Sequence, residues 1–219
     1  MRTPLAIATD FTVASQSNER VPSSLMPEQL SRAGFEAARK PTDRLFFAIH
    51  PSADAAARIA QLADRLRVAH GLKGRLLPTE RFHVTLHHLG DYPGLPQDVV
   101  AAADAAASGL AAPPFEVVFD RAGSFSGKPG NRPLVLRGGD GVIALAAFRQ
   151  ALGAAMKNAG LGRWVQPHFT PHVTLLYDAH GMPELPVEPL GWTVREFVLV
   201  NSQLGQNRHV LLARWQLQG

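Results

Sequence analysis

The tetrapeptide His-Val-Thr-Leu occurs twice, as His83-Val84-Thr85-Leu86 and as His172-Val173-Thr174-Leu175, with the two histidines 89 residues apart. Random ordering of these 219 residues would yield that tetrapeptide roughly 0.003 to 0.004 times per chain, so chance does not account for two copies. Both copies lie in β-type runs. Strand side chains alternate between faces, so His and Thr of each copy share one face, about 7 Å apart, and Val and Leu share the other. A fold that buries the Val and Leu positions in its core therefore presents a His and a Thr from each copy on the same surface.

The flanking pattern is also repeated. Residues 45–49, Leu-Phe-Phe-Ala-Ile, read as a buried strand ended by His50-Pro51. Ser52 suits the N-cap of a helix reaching His70, with Ile59, Leu62, Leu66 and Ala69 on one face and Gly71 as its stop. The first motif strand follows over 82–89. A helix over 97–107, a strand over 115–119 and a Gly/Ser/Pro/Lys loop over 123–131 come next. A strand over 133–137, a helix over 142–158 and the second motif strand over 171–177 complete the second copy. Closing strands are expected over 193–203 and 208–216, with a hairpin turn at Gly205. Each half thus reads strand, helix, motif strand, which predicts an α+β domain of pseudo-twofold, bilobal form over 42–219: two mainly antiparallel sheets around a central cleft, with helices outside. Residues 1–41, rich in Ser, Thr, Asn and Pro, read as a flexible N-terminal extension with a short helix near 27–39.

Composition removes several classes of chemistry. The chain has no cysteine, which excludes disulfides, Cys-ligated zinc and a Cys nucleophile, and fits a reducing compartment. No run approaches the ~18 apolar residues of a membrane span, and the N-terminal residues lack a secretory pattern. A cytoplasmic location, no membrane partner and a monomer are expected. The formal charge of +4 favours an anionic partner without specifying one. Its Arg and Lys are scattered, apart from looser groups at Arg121/Lys128/Arg132 and Arg58/Arg65/Arg67, the latter reading as a solvated helix face.

Two imidazoles with two hydroxyls are suited to a particular task. With an ordinary pKa near 6.5, one histidine accepts a proton while the other donates one. Displacement at phosphorus needs such a pair, a base for the attacking water and an acid for the departing oxygen. Threonine hydroxyls can hold the non-bridging oxygens. No metal or other cofactor is required. Taken singly, each histidine would read as a core imidazole on a sheet strand; the repetition of the His-x-Thr pair argues for function.

These tandem His-x-Thr motifs, together with the strand Arg44-Leu45-Phe46-Phe47-Ala48-Ile49, the block Pro171-His172-Val173-Thr174-Leu175 and the ending Arg214-Trp215-Gln216-Leu217, resemble the two-histidine phosphoesterases. Among them the chain is most similar to bacterial RNA 2′,3′-cyclic phosphodiesterases, also called 2′-5′ RNA ligases. The resemblance covers about 43–219. It implies hydrolysis of an RNA or nucleotide 2′,3′-cyclic phosphate end to a 2′-phosphomonoester, His83 as proton donor, His172 as proton acceptor, and Thr85 and Thr174 as phosphate-binding groups. Related enzymes often carry Arg where this chain has Tyr177, and a phenol there could donate a hydrogen bond or stack on a base. Ligation of 2′-5′ RNA ends, hydrolysis of another cyclic or 2′-5′ linked nucleotide, and a non-catalytic RNA-binding module remain alternatives.

Other residues near the motifs admit two readings. Phe82 and Phe169, with Trp164 nearby, could contact substrate or fill the core. His83, His87 and His88 could approach a zinc ion only awkwardly, because alternation puts 83 and 87 on one face and 88 on the other. His87 could instead extend the polar cleft face, and His168 could lie at its entrance. Lys128 and Arg132 could meet an RNA backbone or remain solvated.

Overall fold

A computed structural model of the chain describes residues 39–128 and 130–218. The expected extension up to residue 38, with nearly all of its short helix, lies outside the described residues; 39–41 are exposed coil.

Leu45 to Ile49 are all buried, as befits a strand with neighbours on both sides. This strand, β1 (Asp43–Ile49), leads into α1 (Ala53–Ala69) through Ser52, whose hydroxyl accepts from the Ala55 N–H at 3.2 Å. Such a cap stabilises a helix by about 1 kcal/mol. Ile59, Leu62, Ala63 and Leu66 turn inward, whereas Ala69 in the last turn is exposed. Gly71 adopts a left-handed φ of 64° just past the helix, the conformation that glycine supplies at low cost. The chain then returns as β2 (Val84–Tyr92), antiparallel to β1.

α2 (Gln97–Ser108) connects to β3 (Phe115–Ser124). The unit strand, helix, motif strand then recurs as β4 (Arg132–Arg137), α3 (Ile143–Asn158) and β5 (His172–Asp178). β6 (Leu185–Val194) joins the same sheet, and the chain crosses back as β7 (Glu196–Gln203) and β8 (Arg208–Gln216). The sheets run β2-β1-β7-β8 and β5-β4-β3-β6, every pairing antiparallel. Each places its motif strand at an edge beside the opening strand of its unit, which is the expected pseudo-twofold in an α+β fold.

The closing strands differ from expectation at one point. The segment expected as one strand over 193–203 divides at Arg195 between β6 in one sheet and β7 in the other. Pro186 and Pro189 mask β6 in the sequence. They are tolerated because β6 is an edge strand, where a missing ladder N–H costs little. No helix among the described residues is long and apolar enough to cross a membrane.

Candidate active site

Both motif strands carry a β-bulge at the same motif position. On β2 the register runs Ile49↔Val84, Ala48↔Thr85, then Phe47↔His87, omitting Leu86. On β5 it runs Leu136↔Val173, Val135↔Thr174, then Leu134↔Leu176, omitting Leu175. One inserted residue reverses side-chain parity beyond it. Leu86 and His87 are therefore both buried and His88 is exposed; likewise Leu175 and Leu176 are buried and Tyr177 is exposed. This corrects the alternation drawn from sequence. His87 points into the core, where its Nε2–H donates to the Arg149 carbonyl at 3.0 Å, and His88 reaches the cleft.

Each bulged carbonyl is fastened by the other half of the molecule. The Leu86 carbonyl accepts from Arg149 Nε at 2.9 Å, and Arg149 Nη2 donates to the Gln166 carbonyl at 2.6 Å. The Leu175 carbonyl accepts from the Leu77 N–H at 2.8 Å. The approach to Leu77 is anchored by Asp178, whose carboxylate accepts from the N–H groups of Lys73 and Gly74 at 2.6 and 2.5 Å. Gly74 is needed there, since a Cβ would sit 2.1 Å from the Tyr177 carbonyl oxygen.

His83, Thr85, His172 and Thr174 line a single cavity of about 250 Å3. Each histidine donates Nδ1–H to the carbonyl two residues earlier, Arg81 for His83 and Thr170 for His172, both at 2.7 Å. A carbonyl can only accept, so this bond fixes the tautomer and leaves each Nε2 as the atom that exchanges a proton.

The rings differ in their surroundings. His83 stacks on Phe46 at 5.0 Å between ring centres and meets the His209 ring edge-on at 5.4 Å, with His50 at 6.4 Å. Burial pushes its pKa down to about 4, the Arg81 carbonyl opposing and the neighbouring imidazoles contributing. His172 meets the edge of Phe125 at 4.9 Å. Its pKa is also lowered by burial, against the Thr170 carbonyl and with help from the Arg137 guanidinium.

The family signature of the 2′-5′ RNA ligase superfamily matches residues 51–206. The chain belongs to that superfamily. No curated protein matches its sequence. Among solved structures it is similar to a phosphoesterase (TM-score 0.62, 25% identity) and to Escherichia coli LigT complexed with 3′-AMP (TM-score 0.58, 26% identity). Each covers 82% of this chain and 100% of the other. The TT0787 protein of Thermus thermophilus shares the fold (TM-score 0.61, 24% identity, 80% of this chain and 98% of that one).

As a member of this superfamily the chain supplies cations to the cleft from positions that its motifs do not mark. Arg44 and Arg81 line the cavity that holds the four motif side chains, beside Tyr177, as do Phe46 and His209. Arg44 gives both of its hydrogen bonds, each 2.7 Å, to Asp91, which also pairs with His88 at 3.1 Å. Arg81 has no carboxylate partner among the described residues, and its Nη2 lies 3.5 Å from His209 Nε2. Arg81 thus brings a guanidinium without a carboxylate partner to the cavity that Tyr177 also lines. Its only hint in the sequence is its place two residues before His83; His209, on β8, has no local signal.

Two expected contacts lie elsewhere. Phe82 is 1% exposed and belongs to the core; its side chain follows the inward parity that the motif strand imposes. Phe169 packs against the core, with the Arg149 guanidinium 4.6 Å over its ring, and is not part of the wall of the cavity that holds the motif side chains. Trp164 packs against the core beneath Arg163 at 3.8 Å. His168 is exposed and outside that wall. Arg132 lines a separate cavity with Ser124 and Met182. His87, turned inward by the bulge, cannot join His83 and His88, and among the described residues no cluster of His, Cys, Asp or Glu is arranged to hold a metal ion.

Proposed function

We propose that the cleft hydrolyses 2′,3′-cyclic phosphate ends of RNA to 2′-phosphomonoesters by side-chain acid–base catalysis alone. The observation that carries this reading is the pair of Nδ1-anchored imidazoles sharing one cavity with two threonines. Water attacks phosphorus as His172 Nε2 takes its proton. The bond from phosphorus to O3′ breaks as protonated His83 Nε2 gives a proton to the leaving oxygen, which becomes the 3′ hydroxyl. Thr85 and Thr174 hydrogen-bond the non-bridging oxygens, and Arg81 balances their charge. Burial disfavours charge on His83, so the bound phosphodiester anion supplies the counter-charge that makes this residue an acid. Structures of E. coli LigT with 3′-AMP, NADP+ and ATP support a nucleotide-bearing cleft in a similar protein.

The test is an oligonucleotide ending in a 2′,3′-cyclic phosphate. A 2′-phosphate product, formed undiminished in the presence of chelator and lost in His83→Ala and His172→Ala, is expected. A 3′-phosphate product would reverse the leaving oxygen, and retained turnover in either variant would overturn the mechanism.

A further inference from the structure

A second cavity, of about 780 Å3, adjoins the catalytic one, and Arg81 and His209 line both. The catalytic cavity, at about 250 Å3, falls just below the roughly 300–1,000 Å3 of small-ligand sites, whereas its neighbour falls well inside that range. The larger cavity has an apolar wall on α1, Ala53, Ala56 and Ala57, faced by Leu211 of β8. Ala57 is exposed and Leu211 is 46% exposed, so these surfaces are open to a ligand. The turn between β7 and β8 contributes Asn207, at a φ of 54°, and the start of β8 contributes Arg208.

The charges point the same way. Of the other arginines near the motif histidines, Arg44 is paired with Asp91, and Arg137, which influences His172, is paired with Glu184. Arg81 and Arg208 have no carboxylate within ion-pair distance among the described residues, although Glu80 also lines the larger cavity. A second anion adjoining the reacting phosphate is therefore best accommodated between the two cavities.

We infer that the larger cavity is a subsite for the nucleotide preceding the terminal one of an RNA strand, its phosphodiester held by Arg81 and Arg208 and its base lying on Ala57 and Leu211. This rests on the proposed function. It makes the protein selective for RNA ends over cyclic mononucleotides, through a contact outside the two motifs.

The experiment compares a 2′,3′-cyclic mononucleotide with a dinucleotide carrying the same cyclic end. The wild type should show a kcat/KM about tenfold or more higher for the dinucleotide, the size of one charge-assisted contact. Arg208→Ala, which removes an exposed cation, and Ala57→Trp, which fills the cavity from an exposed helix position, should each abolish the preference while leaving the mononucleotide kcat/KM unchanged. Equal use of the two substrates by the wild type, or equal slowing of both by the variants, would overturn the subsite. Binding of a 5′-labelled trinucleotide ending in a 2′-phosphate separates the two readings. Turnover of neither substrate would sink the proposed function, and the subsite would still be tested by whether Arg208→Ala weakens that binding about tenfold; an unchanged affinity would overturn it.

Discussion

His83 and His172 share a tetrapeptide, a bulge directly after the threonine-bearing ladder pair, and a backbone acceptor at 2.7 Å, yet they are set in unlike neighbourhoods. His83 is covered by Phe46 and flanked by His209 and His50, so nearly every neighbour disfavours its charged form. His172 has the edge of Phe125 on one side and the Arg137 guanidinium in range. The lesson is that the motif fixes which atom exchanges a proton, through the Nδ1 bond, while residues from other strands fix how readily it does so. The repeat gives the cavity its symmetry, and unlike neighbours lower the proton affinity of both imidazoles, that of His83 to about 4.

The largest effects should test whether both members are needed. His83→Ala and His172→Ala should each lower kcat on a cyclic-phosphate oligonucleotide about 10³-fold, within the usual range for acid–base groups; a variant retaining wild-type kcat would break the pairing. Thr85→Val and Thr174→Val keep shape and remove the hydroxyl, and each should cost about 10²-fold in kcat. Equal losses would show the phosphate held symmetrically; loss at one threonine alone would show that the symmetry stops at the histidines.

Arg149→Met tests the support behind the motifs. It leaves the Leu86 and Gln166 carbonyls without their donor, and urea unfolding should show a loss of about 3 kcal/mol. A smaller loss, under about 1 kcal/mol, would mean that water replaces the guanidinium.

The pH dependence bears on the difference between the two imidazoles directly. Burial lowers both pKa values, that of His83 to about 4. The bell of kcat/KM, which reports the free enzyme, should therefore be centred on the acid side of about 6.5. The bell of kcat should lie higher by roughly one unit or more, because the bound anion raises both values. Phe46→Ala should move the kcat/KM bell toward neutrality by opening His83 to water. Stability follows the same sign. His83, His87 and His209 are held near 4 in the folded protein, so between pH 6.5 and 4 the unfolded chain binds more protons. Stability should be greatest above about 6.5 and decline as the pH falls through that window. The smallest effect is expected at Tyr177→Phe, no more than about threefold in kcat/KM; a larger loss would show the phenol taking part in phosphate binding.

Much of this is readable in the sequence, because the periods that betray secondary structure are local. Ser52 and Gly71 mark the ends of α1, and the twin tetrapeptides place four side chains in one cavity. What escapes is non-local. The bulges have no residue signature, so simple alternation assigns His87 to the cleft and His88 away from it, the reverse of the structure. His209 reaches the cleft from a strand 126 residues after His83, and only the sheet order brings it there. Phe82 shows the complementary limit: adjacency to a motif says nothing of which way a ring turns, and this ring lies in the core.

The bulged carbonyls carry a mechanical consequence. Leu86 is held by a side chain of α3, and Leu175 by the backbone leading into the first motif, so each motif strand is tied down by a segment of the other repeat. Pulling either segment away from its motif strand detaches an acceptor lying one residue from Thr85 or Thr174, at about 1–3 kcal/mol for each acceptor left unpaired. The position of each motif strand is thereby coupled to the repeat it does not belong to. A substitution in one repeat therefore disturbs the cavity-lining His and Thr of the other.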